Sequence, residues 1–159
     1  MTAPRRLGDR DGFPVGDGAM SFANFYGPAT EEGSHAILDA CLELGVDHLD
    51  TSNVYGNGQS EWWIGSWLDK VGRAMRDRFH IATKAGITQR DGKRVFDNSP
   101  EHLEAELDGS LARMGVDHVD LFYVHRRERE RPIEVQTVCG GGVSNLSHRG
   151  EAVFAVTLT

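Results

Sequence analysis

The sequence predicts an α/β fold of parallel strands alternating with helices, and three observations predict it. Short apolar runs recur at Val46–Leu49, Phe79–Thr83 and Val119–Val124, lengths that suit strands rather than helices. Each run ends in an ionisable residue, Asp50, Lys84 and His125 respectively. An internal echo joins the first run to the third: Leu44-Gly45-Val46-Asp47-His48-Leu49-Asp50 reappears as Met114-Gly115-Val116-Asp117-His118-Val119-Asp120. Both copies carry the chain from a helix end into a strand, as a repeated strand–helix unit does.

Taken in order, residues 1–18 are rich in Gly, Asp, Arg and Pro and predict loops or a hairpin, Arg6-Leu7 with Phe13-Pro14-Val15. Val15 to Met20 would be the first strand of the sheet, with Asp17 awkward in it because an isolated carboxylate in a core is costly. The loop from Ser21 to Glu32 offers Phe22, Phe25 and Tyr26, which either line a substrate mouth or pack the loop onto the rim. A helix is predicted over 31–44, with Thr30 as N-cap, an apolar stripe of Ile37, Leu38, Cys41, Leu42 and Leu44, and Gly45 as terminator.

The loop Thr51–Gly58 carries Tyr55, and Ser60 opens a second helix whose Trp62, Trp63, Ile64, Trp67 and Leu68 read as core or interface packing. Asp91-Gly92 marks a turn. Ser99-Pro100-Glu101 starts a third helix, over 100–114, with Ser99 as N-cap, Pro100 at the first helical position and Gly115 at the end. Beyond His125 the run Arg126-Arg127-Glu128-Arg129-Glu130-Arg131 reads as a solvated loop, and Ala152–Leu158 has strand propensity. His48 and His118 are expected in structural roles.

Bulk properties exclude some function classes. The formal charge is −7, from 17 basic and 24 acidic residues, which disfavours a general nucleic-acid surface. No stretch approaches the roughly 20 apolar residues of a membrane span, and the N-terminus lacks the apolar core of a secretory signal. A cytoplasmic location is therefore expected. Cys41 and Cys139 form no ligand-like cluster, so neither a metal site nor a disulfide is expected.

In a barrel of parallel strands the C-terminal strand ends share one face, where chemistry is expected. Asp50, Tyr55, Lys84 and His125 gather there. A tyrosine, with a reference pKa of about 10, is a poor acid near neutrality, and a neighbouring ammonium favours its phenolate. The pair Asp50 and Lys84 reads either as that activating device or as a buried ion pair.

The motifs Asp50-Thr51, Tyr55-Gly56, Ser60-Glu61, Thr83-Lys84, Ser110-Leu111, Asp120-Leu121, His125-Arg126 and Gly142-Val143-Ser144-Asn145 stand in an order that resembles the aldo-keto reductase superfamily. Within it they resemble the bacterial branch related to potassium-channel beta subunits. The resemblance implies a (β/α)8 barrel of the triosephosphate-isomerase type, which needs about 250 residues. The 159 residues here imply an incomplete one, about half a barrel in a single domain over 1–159, shortened internally and at the C-terminus, and completed by homo-oligomerisation through the first strand and the region after Val143.

The resemblance also implies hydride transfer from NADPH to a small aldehyde or ketone. Tyr55 would be the proton donor, Lys84 and Asp50 its activating pair, and His125 the group that orients the carbonyl. Asp50, Ser144, Asn145, Gly18 and Met20 would bind the cofactor, with no metal. Two other readings stay open. One is a cofactor-independent acid/base enzyme (dehydratase, isomerase or cyclase) on a carbonyl compound, and the other is a non-catalytic binding protein.

Overall fold

A computed structural model describes residues 3–7, 10–130, 143–148 and 151–156. The N-terminal hairpin forms between Arg5–Leu7 (β1) and Arg10–Gly12 (β2), with Arg6 opposite Asp11. It begins earlier than the apolar residues predicted: Phe13 lies beyond it, its N–H held by Asp47 Oδ1 at 2.9 Å.

The expected first barrel strand is reduced to Asp17–Gly18 (β3), because Ala19 already starts a 3-10 turn running to Ala23. Asp17 registers with Leu49, whose side chain is buried, so the carboxylate falls on the helix-facing side of the sheet. Its Oδ2 is buried without a hydrogen-bond partner. Burial first, and the Asp50 charge second, push the Asp17 pKa up, which favours the neutral acid in a place hostile to a charge. Burial first, and Asp17 second, raise the Cys41 thiol to about 11.

Three helices follow the predicted bounds closely: Glu31–Leu44 (α1), Gln59–Val71 (α2) and Pro100–Met114 (α3). Thr30 Oγ1 accepts from Gly33 N at 3.1 Å, and Gly45 closes α1 in the left-handed conformation at φ 78°. Ser99 does not cap α3 through its side chain; its hydroxyl donates instead to Asp97 Oδ1 at 2.7 Å. The stripe on α1 is narrower than predicted, since Leu44 is 70% exposed, while Ser34 and His35 are buried. His35 is accommodated by the Trp63 carbonyl and the Ser66 hydroxyl at 3.1 and 3.0 Å.

His48–Asp50 (β4), His80–Ala85 (β5) and Leu121–Val124 (β8) are adjacent parallel strands in sequential order, as the repeated pattern requires. Between them, Ile87–Arg90 (β6) and Lys93–Phe96 (β7) form a separate hairpin. The parallel sheet β3-β4-β5-β8 with its helices is a partial (β/α)-barrel-like arrangement.

Period-two alternation then sorts the side chains. Leu49, Ile81, Phe122 and Val124 join the core that packs under the helices, where Trp67 and Phe79 meet edge to face at 5.6 Å between ring centroids. Ala82, Leu121 and Tyr123 form a second cluster on the opposite face. Asp50 registers with Ala82, and Lys84 with Tyr123, so both ionisable groups share that face.

The region after Val143 departs from expectation. Val143–His148 (β9) is not the next parallel strand beside β8; Glu151–Val156 (β10) lies there, antiparallel, and β9 pairs antiparallel on its far side. A parallel return needs a crossover of a dozen residues or more, usually a helix, whereas an antiparallel return needs only a tight hairpin. Among the described residues no helix is long and apolar enough to cross a membrane. Cys139 lies outside the described residues.

Candidate active site

The backbone gathers the site before any side chain does. Past the end of β4, Thr51 N donates to Ala82 O at 2.8 Å and Asn53 N to Lys84 O at 3.2 Å, so the chain stays laced to β5. It then turns: Tyr55 N bonds Ser52 O and Ser60 N bonds Tyr55 O, at 3.1 and 3.3 Å. Gly58, at φ 90°, precedes α2, and a side chain there would strike Arg113. The buried Ser60 hydroxyl fixes the far end, donating to Ala19 O while contacting Thr51 Oγ1, each at 2.8 Å. On the other flank His125 N donates to Ala85 O at 2.7 Å.

Asp50, Tyr55, Lys84 and His125 converge within this frame. The Lys84 ammonium donates to Asp50 Oδ1, to Thr51 O at 2.8 Å and to the Tyr55 hydroxyl oxygen at 3.2 Å. The Tyr55 and His125 rings meet edge to face with centroids 5.8 Å apart. Tyr55 and His125 line an open cleft of about 790 Å³, which Met20 and Phe25 also line. Of the three loop aromatics, Phe25 and Tyr26 are exposed, but Phe22 is fully buried and belongs to the core.

Electrostatics separate the groups. Burial, then the charges of Lys84, Arg126 and Arg94, lower the His125 pKa to about 4, so its ring is neutral at physiological pH. Burial and Asp50 raise Tyr123 to about 12, which leaves it a protonated phenol beside the ion pair. Between about pH 6.5 and 4 the unfolded chain binds a proton at His125 that the folded chain resists, so stability falls as pH drops through that window. Wild-type protein is expected to lose urea resistance from pH 7 to pH 4 more steeply than His125→Gln. Equal slopes would refute the assignment.

Three of the contacts around the site are not predicted by the sequence. Ser52 Oγ lies 3.0 Å from His125 Nδ1. Glu61, fully buried on α2, accepts from Thr83 Oγ1 and from Arg113 Nε, both at 2.6 Å, tying α2 to β5 and α3 one residue away from Lys84. Arg76 and Asp120 form a second inner pair at 2.7 Å. Burial opposes the Asp120 charge, but the Ile81 N–H and Arg76 hold its pKa below the usual carboxylate range. Period-two alternation points to Ser52, two residues after Asp50, but no local signal marks a pair that spans helices.

Of the expected cofactor residues, Gly18 registers with Asp50 on β3 and Met20 lines the cleft. Ser144 and Asn145 fall on β9, and their side chains lie outside the described residues. Among the described residues no group of three or more His, Cys, Asp or Glu side chains is arranged to hold a metal ion.

Residues 14–141 match the model of the aldo/keto reductase family. The chain belongs to that family. It is 39% identical over 137 residues to an aldo-keto reductase of Schizosaccharomyces pombe whose name specifies NADP(+), a match covering 84% of this chain and 40% of that one. It is 40% identical over 105 residues to the L-glyceraldehyde 3-phosphate reductase of Escherichia coli strain K12, covering 65% of this chain and 30% of that one. Among solved structures, the holo form of an aldo-keto reductase from Bacillus halodurans superposes with a TM-score of 0.73 at 29% identity, covering 86% of this chain and 44% of that one. The chain thus spans less than half the length of each of these relatives, and the residues 14–141 that match the family include Asp50, Tyr55, Lys84 and His125.

Proposed function

We propose that the protein reduces an aldehyde or ketone with NADPH, with Tyr55 as the proton donor. The observation that carries this reading is the shared ammonium: Lys84 bonds Asp50 on one side and the Tyr55 hydroxyl on the other. The motifs of the sequence also favour the branch related to potassium-channel beta subunits, a relationship that a phylogeny of the family including this sequence would test; grouping with another branch would exclude it.

Asp50, Gly18 and Met20 would hold the nicotinamide end of the cofactor. A Cβ built at Gly18 meets no atom within 4 Å, so the space beside Asp50 is open to a planar ring. When bound, NADPH supplies the hydride that reaches the carbonyl carbon. The chain's own residues handle the oxygen. The Tyr55 hydroxyl gives its proton to the oxygen as negative charge develops there. The Lys84 ammonium, already donating to the phenolic oxygen, stabilises the charge left on Tyr55, and Asp50 keeps that ammonium oriented. His125, neutral, donates one N–H to the same carbonyl oxygen.

That donor role requires the His125 proton to be on Nε2. A Ser52 hydroxyl donating to Nδ1 selects this tautomer. The one Ser52 hydroxyl proton also has Lys84 O at 3.1 Å and Asn53 Oδ1 at 3.3 Å within reach, and donation to either would instead leave Nδ1 as the protonated nitrogen. Ser52→Ala is expected to lower kcat/KM on the order of tenfold, the worth of one hydrogen bond of about 1.4 kcal/mol. Nitrogen chemical shifts of labelled His125 read the tautomer directly, and a protonated Nδ1 in the wild type would overturn the assignment.

The test of function is NADPH oxidation by the purified chain over a panel of aldehydes and ketones. Turnover that needs NADPH upholds the reading. Turnover of a carbonyl compound without any cofactor would replace it with acid/base chemistry.

A further inference from the structure

The chain is acidic overall, yet three arginines line the cleft beside Tyr55 and His125. Arg94, Arg113 and Arg126 line the cleft together with Tyr55 and His125. Two of the neighbouring charges are spent within the protein. Arg113 bonds Glu61 and the Ser110 hydroxyl, and Glu106, the carboxylate in the lining, accepts from Asn53 Nδ2 at 2.6 Å. Arg94 differs: it makes no ion pair among the described residues, whereas its hairpin neighbour Arg90 pairs with Asp97.

Arg94 stands on β7 and Arg126 follows β8, so two separate loops must be held together for both to serve one ligand. A reciprocal clamp does this. Glu128 N donates to Asn98 Oδ1 at 2.6 Å, and Asn98 N donates to Glu128 Oε2 at 3.0 Å. Asn98 is fully buried, and Asp97 N donates to Gly86 O at 3.0 Å, which anchors the hairpin to the end of β5. Arg94 and Arg126 line the same cleft as His125, together with apolar Phe25 and Ile87, so a carbonyl compound seated at His125 would share the cleft with both guanidinium groups.

We propose that the cleft selects carbonyl compounds bearing an anionic group, a phosphate monoester above all, with Arg94 as the specificity-determining residue and Arg126 as its second donor. This rests on the reductase reading for the reaction but not for the binding. A guanidinium presents paired donors that match the oxygens of a phosphate. The same chemistry would suit the phosphates of a dinucleotide, and Met20 lines the same cleft, so the experiment carries an NADPH arm that separates the two ligands.

The experiment uses the full chain and two probes. Calorimetry with 2-hydroxyethyl phosphate, which cannot be reduced, measures the anion site without turnover. Reduction of glycolaldehyde phosphate against glycolaldehyde measures its use. Binding is expected to weaken roughly tenfold in Arg94→Gln, to recover in part in Arg94→Lys, and to fall with added salt. The kcat/KM preference for the phosphorylated aldehyde is expected to collapse in Arg94→Gln by a similar factor. Unchanged binding in Arg94→Gln would overturn the proposal. So would loss of NADPH affinity in Arg94→Gln with 2-hydroxyethyl phosphate binding intact, which would give the cations to the cofactor. Arg94-dependent binding with no aldehyde reduced would uphold the anion site and refute the reductase reading. Reduction of both aldehydes without preference would do the reverse.

Discussion

Tyr55→Phe is expected to cut kcat/KM for every reduced substrate by roughly 100-fold or more, the range that a positioned acid contributes. The substitution removes one oxygen. The ring keeps its edge-to-face contact with His125, and Lys84 keeps Asp50 and the Thr51 carbonyl as acceptors. Folding should therefore change little, and circular dichroism with a urea titration checks this before the assay. The informative comparison is with Lys84→Met, which leaves the hydroxyl but strands Asp50 without its cation. If the two variants lose activity together, tyrosine and lysine act as one unit. If Tyr55→Phe retains wild-type turnover, proton transfer belongs to another group and the mechanism above is wrong.

Arg113→Ala is expected to lower stability by about 3 kcal/mol or more, because it leaves the Glu61 carboxylate buried without its cation. The hydrogen bond from Thr83 remains, which keeps the loss from being larger. Urea denaturation on a Glu61→Gln background discriminates between causes. Glutamine still accepts from Thr83 but carries no charge, so Arg113→Ala should cost less there, and the difference measures the pair. Equal losses on both backgrounds would assign the effect to packing. Packing is a real competitor: α2 and α3 touch so closely that a Cβ built at Gly65 would meet Arg113 O at 2.6 Å.

These two sites show what a sequence exposes and what it withholds. Asp50, Lys84 and His125 were legible because each terminates an apolar run, and a strand end is a local signal. Tyr55 was legible through its Gly-rich loop and the family motif. The helix bounds were legible for the same reason, since Thr30, Gly45, Pro100 and Gly115 act within a turn of their own positions. Glu61 stands in a family motif, but its pairing with Arg113 carries no such mark, because the partners come from α2, α3 and β5 and meet only when those elements pack. Asp17 is awkward in any core strand, but its side of the sheet depends on where the short β3 registers against Leu49. Phe22, Phe25 and Tyr26 are alike in sequence, and only the 3-10 turn over Ala19–Ala23 buries Phe22 and leaves the other two exposed. The antiparallel placement of β9 and β10 was beyond local reading, because strand propensity says nothing about direction.

That last placement bears on the order in which the molecule assembles. Every parallel pairing must close a long span of chain, from His48 to His80 or from Lys84 to Tyr123, before any ladder bond rewards it. The β9–β10 pairing closes only from His148 to Glu151. Loop-closure entropy rises with span, by about 0.6 kcal/mol for each doubling. The hairpin can thus form on the microsecond scale of isolated hairpins, about 1–10 μs. It need not wait for the central strands, and it meets β8 at Tyr123 and Phe122 as a preformed pair rather than as one extended strand. The slow steps of folding are then expected at the two crossovers, β4 to β5 and β5 to β8, whose closure brings the strand ends with Asp50, Lys84 and His125 together.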